Sequence, residues 1–166
     1  GPLFTHQLSH IWIDFRGIQD AFMRAKGIDY FENSRRATWV QHRYAIDNPH
    51  KFVGYREGCW GFTASDGPGP DSRKVDGIVR RFYGYIGRGA PFGPDDGTIA
   101  PWAAVASLPF APDIVLPLIS VISAVLTVAS IFAGVSLLTA GGILGWSPPL
   151  DVPPWAAVLA VIAVYA

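Results

Sequence analysis

The sequence predicts an all-α chain with a long loop region in its middle and an apolar helical tail at its end. Apolar residues recur at three- and four-residue spacing in residues 9–26 and again after residue 28, which is the spacing of one helix face. Glycine and proline are dense in residues 50–97, where this periodicity disappears. Residues 114–146 carry no charged side chain. These three observations divide the chain into helices, loop region and tail.

The first helical stretch is predicted between Ser9 and Lys26 and is interrupted near Gly17. Gly27 is expected to end it, because glycine readily adopts the left-handed conformation that follows a helix. Its apolar positions share one face and are Ile11, Phe15, Ile18, Phe22 and Met23. We therefore expect helical pieces in this stretch and no further helix before residue 28.

A longer helix is predicted from about Ile28 to Asn48-Pro49, which stops it. Asn33 or Ser34 is expected to cap its main part, because such side chains accept hydrogen bonds from free amides at a helix start. One face of this helix consists of Trp39, Val40, Arg43, Tyr44 and Ile46.

The region 50–97 is predicted to be a long loop with turns. Turns are predicted in the Gly- and Pro-rich segment Gly67-Pro68-Gly69-Pro70-Asp71. A short strand or hairpin is predicted from the β-forming residues Val79, Phe82, Tyr83, Tyr85 and Ile86. Pro101 then suits the first turn of a helix that is expected to run through Ser107.

The tail differs from the rest of the chain in charge. All thirteen Lys and Arg residues lie at or before Arg88, and no charged residue occurs between Asp113 and Asp151. Residues 114–146 exceed the ~20 apolar residues that cross a bilayer, so membrane contact through them is one prediction. No Lys or Arg anchors the far end, however, and a frame shift in GC-rich DNA produces similar composition. For residues 118–166 both a transmembrane segment and a frame-shifted tail stay open, and localisation is membrane, periplasmic or cytoplasmic accordingly.

Composition excludes several function classes. The formal net charge is zero, and no basic stripe exceeds the pairs Arg35-Arg36 and Arg80-Arg81, so nucleic acid is not an expected partner. The single Cys59 excludes an intrachain disulfide. No spacing of the CxxC or HxxxH type indicates a metal site, and no cofactor is indicated.

Three segments place carboxylates among aromatic residues and arginines. They are HIWIDFR at 10–16, FENSRR at 31–36 and GYREGCWG at 54–61. Sugars are bound by aromatic rings against their apolar faces and by charged groups at their hydroxyls, and carboxyls of unequal pKa cleave glycosidic bonds. The segments therefore predict a carbohydrate site.

Together with GFTASDGP at 61–68 and DDGTIAP at 95–101, these segments closely resemble the glycoamylase-like domain family over about residues 1–117. The resemblance implies an (α/α)6 toroid acting on glucans, as in endo-β-1,2-glucanases and the C-terminal domain of cyclic β-1,2-glucan synthases. Twelve helices of about 11–12 residues each, with connections, need more than this chain supplies, so only a fragment of the toroid is expected in 1–117. The sequence also begins without an initiator Met or a signal-peptide pattern, as expected of a fragment or a processed product.

Glu57 is the first candidate for a catalytic acid. Tyr55 and Trp60 flank it in a Gly-rich loop, and an apolar wall keeps a carboxyl protonated so that it can donate to the departing glycosidic oxygen. The alternative is a loop carboxylate paired with Arg56 or another Arg, but the match to a family motif favours the acid. Gly58 stands where the family more usually has Asn.

A glycosidase also needs a second carboxylate, as nucleophile or as base for water. Asp14 and Glu32 are candidates because each lies between aromatic residues. For Asp14 the alternative is an ion pair with Arg16 or Arg36. For Glu32 it is a helix N-terminal carboxylate stabilised by the helix dipole. The second carboxylate can also lie in a part of the toroid that this chain lacks.

Further residues are predicted to bind the sugar. Aromatic rings are expected to stack on glucose and arginines to donate to hydroxyls, although core packing and ion pairing are alternatives for both. Asp66 and the pair Asp95-Asp96 are turn-formers by composition, and their place in family motifs implies contact with sugar hydroxyls. The predicted substrate-binding residues are Trp12, Arg16, Arg35, Tyr55, Trp60, Asp66 and Asp95.

The predicted function is therefore glycoside hydrolysis of β-glucan, β-1,2-linked by resemblance, with a glucan oligosaccharide or polysaccharide as partner. The alternative is a catalytically inactive remnant that binds glucan or is tethered to a membrane.

Overall fold

The computed structural model describes the backbone of residues 1–140 and the side chains of residues 1–133. Its elements are helix α1 (Phe4–Gln7), a 3₁₀ turn (Leu8–Ile11), helices α2 (Ala21–Lys26) and α3 (Tyr30–Asp47), strands β1 (Ala64–Ser65), β2 (Asp71–Val75), β3 (Ile78–Phe82) and β4 (Ile86–Gly87), and helices α4 (Pro101–Val105) and α5 (Pro112–Ala140). The chain forms two compact units, Gly1–Leu116 and one that begins at Pro117. Helices with a few short strands are observed, in agreement with the predicted helical class.

The first helical stretch is shorter than predicted because residues between the 3₁₀ turn and α2 are not helical. The Asp14 carboxylate accepts a hydrogen bond from the backbone amide of Arg16 at 3.1 Å, which competes with helical bonding. Gly17 follows with a φ of 76°. Helix α2 begins only after Asp20, and Gly27 ends it with a φ of 66°, as predicted.

Asp29, rather than the predicted Asn33 or Ser34, caps α3. Its carboxylate accepts from the backbone amide of Glu32 at 2.7 Å, which satisfies one of the free amides of the first turn. The helix therefore starts earlier than those two residues. Asn48 adopts a left-handed φ of 41° directly after α3, so the predicted stop is confirmed.

The region 50–97 is largely loop, as predicted, and includes a short hairpin. Strands β2 and β3 pair antiparallel and are joined by Asp76 and Gly77, which have φ values of 50° and 81°. An Asp-Gly pair favours such a tight turn because both positions require positive φ. Strand β1 pairs with β4.

Helix α4 starts at Pro101, as predicted, but ends at Val105 instead of continuing through Ser107. The amide of Ser107 donates to the Ala104 carbonyl at 3.0 Å and that of Leu108 donates to the Val105 carbonyl at 3.0 Å. These bonds span three residues and tighten the chain into a 3₁₀ turn. Ser107 is buried at the helix end.

The core of the first unit is organised by the segment Trp60–Thr63. The Phe62 amide donates to the Gln41 Oε1 of α3 at 3.1 Å. The Ala100 amide donates to the Gly61 carbonyl at 2.9 Å. The segment thus joins α3 to the start of α4. The large side chains that are almost fully buried include Leu3, Trp60, Phe62, Arg88 and Val115.

Pro112–Ala133 is long and apolar enough to cross a membrane, with a mean hydropathy of 2.5, and 11% of an 18-residue window in it is buried. This finding is one of length and composition. The remainder of the predicted tail, residues 141–166, lies outside the described residues.

Candidate functional site

Glu57 lies in a tight turn of the loop that follows α3. Backbone hydrogen bonds between Arg56 and Cys59, at 2.9 and 3.3 Å, close this turn. The Nε2 of the buried His42 donates to the Glu57 carbonyl oxygen at 3.0 Å. The backbone of Glu57 is therefore held in place, while its side chain is exposed. None of the ion pairs between described residues involves Glu57, so the predicted alternative of a pair with Arg56 is not observed there.

The two aromatic residues that flank Glu57 in sequence are buried. Trp60 is 1% exposed and packs edge-on against His42, with 5.3 Å between ring centroids. Tyr55 is 5% exposed. Because neither ring has an accessible face within the described residues, the geometry does not support the sugar contact predicted for them. Their contacts are those of core residues beneath the loop.

Trp12, Asp14 and Arg16 line one surface pocket of about 290 Å³, so the structure brings three predicted site residues together. Trp12 is 85% exposed. Asp14 forms the predicted ion pair with Arg16, at 3.1 Å between Oδ2 and Nη1. The Arg16 guanidinium also lies over the Phe31 ring, 4.4 Å from its centroid. Hydrogen bonds from the Arg16 amide and guanidinium lower the pKa of Asp14, which keeps it ionised.

Glu32 lies in the first turn of α3 and is held by two arginines. Its Oε2 accepts from Arg35 Nε at 2.6 Å, and its Oε1 accepts from Arg36 Nε at 2.7 Å. The hydrogen bond from Arg35, followed by that from Arg36, lowers the pKa of Glu32 to about 2. A carboxylate that is ionised at neutral pH suits a base, a nucleophile or a structural ion pair, and it does not suit a general acid.

Asp95 lies at the centre of a hydrogen-bond cluster. Its Oδ1 accepts from the Tyr55 hydroxyl and from the Gly97 amide, the latter at 3.2 Å. Its Oδ2 accepts from the Tyr44 hydroxyl at 2.7 Å. Burial, and then the hydrogen bond to Asp95, raises the pKa of both tyrosines well above the ordinary value. The phenols therefore remain protonated donors.

Asp96 forms a second, separate cluster with Arg88. The guanidinium donates to both carboxylate oxygens, at 2.7 and 2.8 Å, and the two side chains are 0–1% exposed. Asp96 also accepts from the amides of Tyr83 at 2.9 Å and Thr98 at 3.1 Å, while Arg88 donates to the Ser65 carbonyl at 2.7 Å. Burial alone raises the pKa of Asp96, but the hydrogen bonds from Arg88 and the amides outweigh it and lower the value to about 2.

The remaining predicted aspartate, Asp66, is exposed and follows β1. Tyr44 and Arg88 are the cluster members that sequence reasoning missed, since it placed Tyr44 on a helix face and gave Arg88 no role. They lie 51 and 8 residues from their aspartate partners, spacings that predict no contact. Among the described residues no group of three or more His, Cys, Asp or Glu side chains could hold a metal ion.

Comparison with known protein families identifies the chain. The glycoamylase family, described as “Putative glucoamylase”, matches residues 1–130. The chain therefore belongs to the glycoamylase family, and the resemblance seen in its motifs is confirmed.

Individual relatives agree with this assignment. The chain is 34% identical over 113 residues to the exo β-1,2-glucooligosaccharide sophorohydrolase (non-reducing end) of Parabacteroides distasonis, a match that covers 68% of this chain and 13% of that protein. The crystal structure of a β-1,2-glucanase from Parabacteroides distasonis matches with 33% identity and a TM-score of 0.52, over 69% of this chain and 14% of that one. A crystal structure described as a “putative glucoamylase” from Bacteroides uniformis matches with 37% identity and a TM-score of 0.53, over 70% and 23%. The chain thus spans less than a quarter of these relatives.

Proposed function

We propose that this chain is part of a glycoside hydrolase that cleaves β-glucan, with β-1,2-linked glucose chains as the substrate class. Its similarity to two proteins named for β-1,2-glucan substrates supports the linkage. The observation that carries the proposal is the position of Glu57, whose backbone is held by the Arg56–Cys59 bridge and by His42. Its side chain is exposed to solvent, and the predicted apolar wall of Tyr55 and Trp60 is not formed because both rings are buried in the core. A general acid must reach the departing oxygen within hydrogen-bond distance, and a fixed turn meets that demand.

In this mechanism Glu57 donates a proton to the glycosidic oxygen as the glycosidic bond breaks. An ionised carboxylate acts on the opposite side, either as nucleophile at the sugar carbon or as base for the attacking water. Asp14 and Glu32 both satisfy the charge requirement, since hydrogen bonds lower the pKa of each. Asp14 lines an open pocket, which Glu57 does not line, and its oxygens accept from one residue, Arg16. The oxygens of Glu32 are held by two guanidinium groups. We therefore assign Asp14 as the first candidate for the second carboxylate and keep Glu32 as the other.

The pocket of Trp12, Asp14 and Arg16 is proposed as a glucose-binding subsite. The exposed indole of Trp12 offers a flat apolar face to a sugar ring. Asp14 accepts from hydroxyls and Arg16 donates to them. Asp66, which is exposed, is proposed as an additional hydroxyl contact, and Arg35 acts through its ion pair with Glu32.

The fold proposal that accompanies this function is an (α/α)6 toroid of which residues 1–117 supply part. The match to less than a quarter of each relative's length supports it. Exposed apolar side chains of the first unit, such as Phe22, Trp39 and Trp102, also support it. In a complete barrel, each helix buries such residues against neighbouring helices.

Residues 118–166 are proposed as a separate tail with two possible origins. The apolar length of Pro112–Ala133 supports a membrane segment. The nucleotide sequence past codon 118, read in all three frames, decides between them. Charged sequence of the glycoamylase type in another frame would replace the membrane segment by a frame-shifted tail.

The catalytic proposal is tested with Glu57→Gln, assayed for sugar release from β-1,2-glucan by the full chain. Loss of the acid is expected to lower the rate by about 10²–10⁴-fold. Asp76→Asn is the matched control, because it makes the same change at a hairpin turn where Asn also tolerates positive φ. Equal release by the wild type and Glu57→Gln would overturn the assignment.

A second candidate function is glucan binding without turnover. The observation that favours it is the highly exposed Trp12 beside Asp14 and Arg16 in one pocket, on a chain that covers 13% of its curated relative. A wild-type chain that binds β-1,2-glucooligosaccharides but releases no sugar would establish this function in place of hydrolysis.

A further inference from the structure

We infer that Asp95 positions the Glu57 loop through the Tyr55 hydroxyl and does not itself contact the sugar. This inference rests on the proposed role of Glu57 and names the residue that fixes its place. It assigns a different role to Asp95 from the substrate contact expected from the family motif.

The first argument is the occupancy of the Asp95 oxygens. Oδ1 accepts from Tyr55 and from the Gly97 amide, and Oδ2 accepts from Tyr44. Two carboxylate oxygens have about four acceptor positions, so three are already in use. Both phenols are donors because burial and the nearby carboxylate raise their pKa values. Little capacity remains for a sugar hydroxyl.

The second argument is the location of the donors. Tyr44 lies in the last turns of α3, and Tyr55 lies in the loop two residues before Glu57. Asp95 therefore ties the loop to a long helix. The Asn48 side chain, which donates to the Phe52 carbonyl at 2.7 Å, fixes the start of the same loop. Asp95 thus attaches the loop through Tyr55, in addition to the hydrogen bond from His42 of α3 to the Glu57 carbonyl.

The third argument is that the backbone on which Asp95 sits is itself fixed. The neighbouring Asp96 is locked to Arg88 in the buried bidentate pair. Gly97 follows with a φ of 86°, and a Cβ there would lie 2.7 Å from the Phe52 ring. The two consecutive aspartates thus serve different partners: Asp96 holds its own segment in the core, and Asp95 holds the Glu57 loop.

Loss of the Tyr55–Asp95 hydrogen bond is expected to lower the catalytic rate because it displaces Glu57. Glu57 would keep its carboxyl and its turn, but the turn would lose its connection to α3 through Asp95. Displacement of a reacting group by about 1 Å costs on the order of 10²-fold in rate. Asp95 is in this sense a positioning residue.

The experiment compares Tyr55→Phe with Tyr44→Phe in the full chain. Each variant removes one hydroxyl from the same carboxylate, but only Tyr55 belongs to the loop. Without the Tyr44 hydroxyl, the Asp95 backbone is still held through the neighbouring Asp96–Arg88 pair. Hydrogen exchange of the Arg56 and Cys59 amides is measured, because these amides close the turn around Glu57. Tyr55→Phe is expected to raise their exchange rates at least tenfold, and Tyr44→Phe by much less, with the β2–β3 hairpin amides unchanged in both.

Kinetics supply the second measurement. Where the wild type releases sugar, Tyr55→Phe is expected to lower kcat by about 10–100-fold with little change in KM, because positioning and not ground-state binding is lost. The same substitution made in an Asp95→Asn background is expected to add much less, since the two residues act through one hydrogen bond.

The outcomes separate this inference from the proposed function. Unchanged exchange of the turn amides in Tyr55→Phe overturns the positioning role whatever the activity. A higher KM for Asp95→Asn with normal exchange also overturns it and returns Asp95 to substrate contact. Faster exchange in Tyr55→Phe in a chain whose wild type releases no sugar supports the attachment of the loop while the hydrolase function fails.

Discussion

Arg88 and Asp96 form a bidentate ion pair inside the first unit, with Nε–Oδ1 and Nη2–Oδ2 distances of 2.7 and 2.8 Å. Both side chains are almost completely removed from solvent. The remaining donors of Arg88 reach carbonyl oxygens of Ser65, Tyr83 and Gly84, so the guanidinium is fully hydrogen-bonded. A buried charge of this kind is tolerated only while its partners are present.

Asp96→Asn is expected to destabilise the fold by about 3–5 kcal/mol, because it leaves the Arg88 charge buried without a counter-ion. The free energy of unfolding, measured by denaturant titration, tests this expectation. The control is Asp71→Asn, which removes the exposed partner of Arg73 and should cost no more than about 1 kcal/mol. Equal and small losses in both variants would show that the buried pair contributes no more than a surface pair.

The same pair predicts an acid-sensitive stability. The pKa of Asp96 is lowered from 3.8 to about 2 in the folded chain, so folding favours the ionised form. Its contribution, about 2 kcal/mol, is fully present above pH ~4 and is lost as pH falls through about 2. Denaturant midpoints measured between pH 5 and 2 should decrease in that window. Direct NMR titration of the Asp96 carboxyl would contradict the prediction if the midpoint were near 4.

Local sequence signals predicted where helices α2 and α3 end better than where they begin. Helical spacing identified α3, and Gly27 and Asn48 ended their helices as expected. The cap at Asp29 was missed because several residues near the start of α3 have capping side chains, and sequence does not show which one faces the free amides.

The site was predicted only in part, because its contacts join distant segments. Trp12, Asp14 and Arg16 of the motif at 10–16 line one pocket, since these residues are close in sequence. Tyr55 contacts Asp95 across 40 residues, and no spacing rule predicts that pairing. Because Tyr55 is close to Glu57 in the sequence, we predicted that it is accessible to a sugar. In the structure its hydroxyl donates to Asp95 and its side chain is buried.

Gly61→Ala tests the packing that places Trp60 in the core. Gly61 has a φ of 124°, and a Cβ there would lie 2.6 Å from the Ala100 carbonyl oxygen. Both the conformation and the close backbone contact oppose a side chain, so a loss of at least about 1–3 kcal/mol is expected. Gly54→Ala is the control, because a Cβ at that position has nothing within 4 Å. A Gly61→Ala chain as stable as the control would show that segment 60–63 can move without cost.

Trp12→Ala tests the proposed glucose subsite independently of hydrolysis. Because the Trp12 side chain is 85% exposed, its removal should change the free energy of unfolding by no more than about 0.5 kcal/mol. Affinity for β-1,2-glucooligosaccharides, measured by titration calorimetry, should fall about 2–12-fold, which corresponds to the ~0.5–1.5 kcal/mol of one aromatic contact. Phe92→Ala is the matched control, since Phe92 is 95% exposed and does not line the pocket. Equal affinities of the two variants would place glucan binding elsewhere on the chain.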